Sequence, residues 1–159
     1  MNSIVLYDLV QDEKEKPSLF KIKEFEVFDN IFDDQYAAFL MSKYIHLGIM
    51  DSEHLYIMAI NSNYEITGII NVALGNYNNV QVYKRNIILF LALIGAKGFA
   101  DYHNHPNNSV KVSSDDIVSE AQMDNIAKLL EIEYLGSFIL GRTHYIKVSE
   151  NIRKKIEED

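Results

Sequence analysis

The chain contains no cysteine, so disulfides and thiolate zinc sites are excluded; any metal must be held by His, Asp, Glu or water. Cations are scarce: 15 Lys and Arg stand against 23 Asp and Glu, for a formal net charge of -8. That balance argues against a general nucleic-acid surface, which is normally basic. Long apolar runs are also missing. The longest, Ile87 to Ile94, falls far short of the roughly 20 residues that a membrane helix needs. The opening residues, MNSIVLYDLVQDEKEK, lack the basic stretch and long apolar run of a secretory signal. No internal repeat or low-complexity segment is visible. These absences lead to an expectation of a cytoplasmic protein with no membrane partner.

What is present suits one domain, 1–159, with a real core: 48% of the residues are hydrophobic and 24% charged. The stretch Gln11–Pro17 is charged and separates two strand-like runs, Ser3–Val10 and Ser18–Phe28. Together they read as an N-terminal β-hairpin extension within residues 1–31. Asp33 and Asp34 open a helix to about Leu47, with Tyr36, Leu40, Tyr44 and Leu47 on one face and Gly48 as the stop. Strands are expected at Glu53–Ile60 and Glu65–Leu74 around the turn Asn61–Tyr64.

Gly75–Gln81 reads as a loop, the Ile87–Ile94 run as a buried helix, and Lys97–Tyr102 as a short inner strand. A loop from His103 to Val112 leads into a helix from Ser114 to about Glu131. Strands Tyr134–Leu140 and His144–Val148 meet at Gly141-Arg142-Thr143, closing a core of 32–149. The charged tail, 150–159, is expected to be a solvated helix end. This order implies an α/β or α+β domain, a mixed β-sheet flanked by helices.

The chemistry concentrates in His103-Asn104-His105, followed at fixed spacing by Ser113-x-x-Asp116. Side chains at i and i+2 of an extended segment point the same way, so His103 and His105 can converge on one point. Asp116, in the first turn of the next helix, can supply a third ligand. Two histidines and one carboxylate leave an open position for water on a zinc ion, the catalytic arrangement. A proton acceptor is then required. Glu53 is the candidate, because it borders the apolar run Leu55–Ile60. The Ser113 hydroxyl could stabilise an oxyanion.

Each part has a plainer reading. A His-x-His alone often bonds backbone, Ser113-x-x-Asp116 alone is a helix N-cap box, and Glu53 alone could be an exposed strand-end carboxylate. The cap and ligand roles can coexist. His46 and His144 show no partner pattern and read as structural or surface groups; His54 should face solvent or a helix. Arg85 fits a brace near the site and a solvated helix-start cation equally well.

The spacing resembles the JAMM signature of JAB/MPN domains: an upstream Glu, then His-x-His-x7-Ser-x-x-Asp. Its HNHP sequence looks most like the RadC-like branch. Glu53-His54-Leu55-Tyr56, Gly75 with Asn78, Lys84-Arg85, and Leu129–Ile132 with Ile139-Leu140-Gly141 extend the resemblance over roughly Phe32 to Ser149. It implies a cytidine-deaminase-like JAB/MPN fold, Zn2+ on His103, His105 and Asp116, Glu53 as general base and Ser113 as oxyanion stabiliser.

The implied activity is that of a metalloprotease-type hydrolase, a peptidase or isopeptidase acting on a peptide or protein substrate. The alternative is a zinc-stabilised, catalytically weak module associated with DNA repair or mobile elements. This chain departs from the family at Asn107-Asn108, Val112 and Gly136-Ser137, none of them a ligand position. Full-length RadC proteins also carry a helix-hairpin-helix region. Its glycine-bearing hairpin has no counterpart before Gly48, and direct DNA binding is not expected. The N-terminal hairpin and the charged tail offer surfaces for a homodimer.

Overall fold

The computed structural model describes residues 2–76, 79–82, 84–107 and 109–158; Asn78 and Asn108, singled out above, lie outside them. Ten strands and three helices occur among the described residues. In chain order they are β1 (Asn2–Gln11), β2 (Pro17–Val27), α1 (Asp34–Leu40), β3 (Leu55–Ile60), β4 (Ile66–Asn71), β5 (Ala73–Asn76) and β6 (Asn79–Val82). They continue with α2 (Lys84–Ile94), β7 (Gly98–Asn104), α3 (Ser114–Leu130), β8 (Glu133–Leu140), β9 (His144–Lys147) and β10 (Ile152–Lys155).

Eight strands form one mixed sheet in the order β10-β9-β8-β7-β3-β4-β1-β2, while β5 and β6 form a separate hairpin. The fold is thus the mixed α/β arrangement expected, consistent with a JAB/MPN-like fold. The N-terminal hairpin joins this sheet, with β1 pairing parallel to β4 through Val5, Leu6 and Tyr7. Parallel β7 and β8 are joined by α3, because a parallel pair needs a long crossover.

The middle of the sheet explains its sequence. All of β3 and β7 is buried; β3 is accordingly apolar throughout instead of alternating, while β7 buries Asp101, His103 and Asn104 among its apolar residues. On one face, Ala37, Ala38 and Leu40 of α1 cover Tyr56, Met58 and Tyr102. On the other, Ile87 and Phe90 of α2 and Met123 and Ile126 of α3 cover Leu55, Ile57 and Phe99. Residues 99, 101 and 103 alternate towards the α2/α3 side, and this places His103 beneath α3. No helix among the described residues is long and apolar enough to cross a membrane.

Several boundaries differ from those expected. The first helix does not run to Leu47. It ends at Leu40, continues as a single π turn, Met41–Ile45, and stops at His46, whose φ of 60° is left-handed. Gly48 instead sits in a short 3-10 turn, Leu47–Ile49. It is small because it touches the end of β8: a Cβ on Gly48 would lie 2.0 Å from the Gly141 carbonyl oxygen. Gly48→Ala is therefore expected to cost about 1–3 kcal/mol by forcing the two segments apart. The urea midpoint checks this, and an unchanged midpoint would mean that the contact yields freely.

The strand expected from Glu53 starts at Leu55, leaving Glu53 and His54 in the segment before it. The run Glu65–Leu74 is broken at Val72, whose N–H bonds to the Leu55 carbonyl. Of the loop expected at Gly75–Gln81, the described residues Gly75, Asn76, Asn79, Val80 and Gln81 pair in the β5–β6 ladder. His103 and Asn104 belong to β7, not to the loop after it. The tail is not a helix end: Ile152–Lys155 pairs antiparallel with β9.

Candidate metal centre

β7 delivers His103 just before its end at Asn104, His105 follows directly, and the chain then turns at Pro106-Asn107. Two features return it to the site. Val110 and Val112 pack on Ile139, Ile146 and Val148 of the β8–β9 region. Asn107 Oδ1 accepts from the Ser109 N–H at 3.0 Å, tightening the turn. Ser113, extended at φ -98° and ψ 167°, then caps α3.

The cap is reciprocal. Ser113 Oγ accepts from the Asp116 N–H at 3.2 Å, and Asp116 Oδ2 accepts from the Ser113 N–H at 2.8 Å. A capping box of this kind satisfies two helix-end donors and is worth about 1 kcal/mol. It also aims the other carboxylate oxygen inward. Asp116 Oδ1 lies 2.8 Å from His103 Nε2 and 3.4 Å from His105 Nε2. One side chain thus forms the cap box and also faces both histidines.

One atom from each of His103, His105 and Asp116 lies within 4.8 Å of the others, and His103 and Asp116 are buried. His105 Nδ1 sits 2.9 Å from the Ser109 carbonyl oxygen. A carbonyl can only accept, so Nδ1 carries a proton; the protonated ring donates from Nε2 to Asp116, and loss of that second proton would free the Nε2 lone pair for a metal. Burial opposes the Asp116 charge, but hydrogen bonds from His103, His105 and Ser113 hold its pKa well below the usual carboxylate range. The His105 pKa is raised, first by its hydrogen bond to Asp116, against desolvation; the charges of Asp116 and Glu53 add to the effect. A buried carboxylate facing two ring nitrogens, with no thiol nearby, fits a divalent metal with nitrogen and oxygen ligands.

Glu53 is half-buried and lies close enough for its charge to act on His105. Ser113 is exposed at the mouth of the site. A cavity of about 490 Å³ opens there, lined by His105, Pro106, Asn107, Ser109, Lys111, Val112 and Ser113. The remaining histidines stand apart from the cluster. His54 bonds the Ser52 carbonyl and stacks on Tyr56, His144 bonds Thr143, and His46 terminates the first helix. Arg85 is exposed in the first turn of α2.

Two polar residues of β7 escaped the sequence reading. Asn104 is buried and bonded to the segment around Glu53. Asp101 is fully buried, accepting from Tyr134 Oη at 2.5 Å and Ser137 Oγ at 2.6 Å. The signal for Asp101 was a lone acid in an apolar strand. Burial pushes its pKa up to about 6, although Ser137, Tyr134 and His103 oppose the rise.

The folded state therefore binds this proton more tightly than the unfolded chain, whose Asp titrates near 3.9. The resulting stability is present in full below about pH 4 and is lost as pH rises through about 6. In the metal-free chain, the stability of Asp101→Asn relative to wild type should rise by up to about 3 kcal/mol between pH 4 and pH 8. Urea unfolding across that range tests this, and parallel pH curves for the two proteins would refute it.

A sheet carrying a His-x-His strand end, capped against the first turn of a crossover helix, defines a JAB-type domain. Residues 32–153 match the family model described as the RadC-like JAB domain, and the chain belongs to that family. Its relatives include a UPF0758 protein of Clostridium acetobutylicum, 29% identical over 135 residues, which cover 83% of this chain and 58% of the relative. A UPF0758 protein of Chloroflexus aggregans is 28% identical over 114 residues, 72% of this chain and 48% of the relative. The chain thus spans about half the length of the curated relatives it matches.

Proposed function

We propose that this chain is a zinc-dependent hydrolase of the JAMM type that cleaves an amide bond, peptide or isopeptide, in a peptide or protein substrate. The observation carrying this reading is the convergence of His103, His105 and Asp116 within 4.8 Å, beside a cavity large enough for several side chains. These three residues would hold the metal. A bound zinc ion supplies Lewis acidity, lowering the pKa of a coordinated water to about 7 and polarising a carbonyl.

The remaining work falls to side chains. Glu53 accepts the proton of the attacking water and passes it to the leaving amine, the dual role of a carboxylate general base and acid. The Ser113 oxygen already accepts from the Asp116 N–H, so its own hydrogen is free to donate to the oxygen of the scissile carbonyl as charge develops there. The cavity at the mouth positions the substrate.

The test is hydrolysis of quenched peptide and isopeptide substrates by zinc-loaded protein. Cleavage should vanish on chelation and return when zinc is added back. A purified chain that binds no zinc would overturn the reading.

A further inference from the structure

Asn104 sits between the two histidines in sequence but faces away from them in space. It is almost fully buried, 1% exposed, on the face of β7 opposite His103. All of its carboxamide bonds go to a single segment. Oδ1 accepts from the His54 N–H at 2.8 Å, and Nδ2 donates to the carbonyls of Met50 at 3.2 Å and Ser52 at 3.0 Å. These main-chain partners bracket Glu53 on both sides.

The segment has two further ties, one at each end. Upstream, Gly48 closes on the Gly141 carbonyl; downstream, Leu55 pairs with His103 in the β3–β7 ladder. Between those points the backbone is irregular, and its groups must find partners outside a ladder. Asparagine suits this place because one short planar group offers an acceptor and two donors. An aspartate could not donate to the two carbonyls, and a serine hydroxyl carries only one donor.

We infer that Asn104 is the positioning residue for Glu53, fixing the segment that carries it so that the carboxylate is held at the metal centre. Consecutive residues of one strand end then divide the labour. His103 and His105 furnish ligands on one side, and Asn104 ties the base-bearing segment on the other. The inference rests on the proposed role of Glu53.

The test uses metal alone as probe. The full chain, with glutamate side-chain carboxyls labelled with carbon-13 and the Glu53 signal assigned through Glu53→Gln, is loaded with cobalt(II). The wild-type Glu53 carboxylate should show a cobalt-induced shift, and the His54 amide should be protected from exchange. In Asn104→Ala the cobalt shift should shrink severalfold, and His54 should exchange about tenfold faster, as loss of one hydrogen bond implies. Zinc affinity should weaken by less than about tenfold, because no ligand is removed. Asn104→Asp, close in size, should lose the shift in the same way.

An unchanged Glu53 shift in these variants would overturn the inference. So would a zinc affinity that collapses together with the shift, or failure of both variants to fold, since each makes Asn104 a general structural residue. Absence of any cobalt shift at Glu53 in the wild type would instead overturn the reading of Glu53 itself.

Discussion

Asp116→Asn is expected to weaken zinc binding by more than about a hundredfold, beyond the 10–100-fold that outer partners of a metal site cost. The substitution keeps size and shape, and Asn Oδ1 can still accept from the Ser113 N–H. The Ser113 hydroxyl cap on the Asp116 N–H is untouched, so α3 should begin where it does now. What is lost is the charge facing His103 and His105. His105→Ala should give a comparable loss by removing a ring nitrogen. Competition against a chromogenic chelator measures both, with bound zinc per chain as a second readout. Wild-type affinity in the two variants would exclude this cluster as the metal centre. Acidification should also weaken uptake, because the raised pKa of His105 makes protons compete for its ring.

Glu53→Gln should reduce hydrolysis by about 10²–10⁴-fold, the usual contribution of a positioned general base. The amide occupies nearly the same volume but cannot take a proton. Zinc affinity should stay near the wild-type value, because Glu53 lies outside the cluster of candidate ligands. A fall in turnover with bound zinc intact is the diagnostic pair. Turnover surviving in the variant would remove Glu53 from the mechanism without touching the metal site.

The parts of this molecule with strong local grammar were legible in its sequence. Alternation marked the β1–β2 hairpin. The Ser113 cap located the start of α3, and the apolar run located α2. The candidate ligand cluster was legible too, because i and i+2 on a strand end and one turn of a capped helix are short-range geometry.

What escaped is held by main-chain pairing or by long-range partners. Ile152-Arg153-Lys154-Lys155 is exposed along its whole length, so no apolar alternation announces β10; only its ladder to β9 makes it a strand. Gly75 and Asn76 pair with Val80 and Asn79 in the same silent way. The first helix ends through a left-handed His46, which no glycine marks. Asn104 finds its partners 50 to 54 positions away. A residue type predicts the capacity to bond, not the address of the partner.

The capping box also bears on entropy. A carboxylate that must abandon many rotamers when an ion arrives surrenders roughly 0.5–1.5 kcal/mol of affinity. Asp116 has already surrendered that freedom during folding, because Ser113 holds one of its oxygens whether or not an ion is present. The same contact that begins a helix thus leaves its other oxygen pre-set, and an arriving cation meets a ligand with little left to lose.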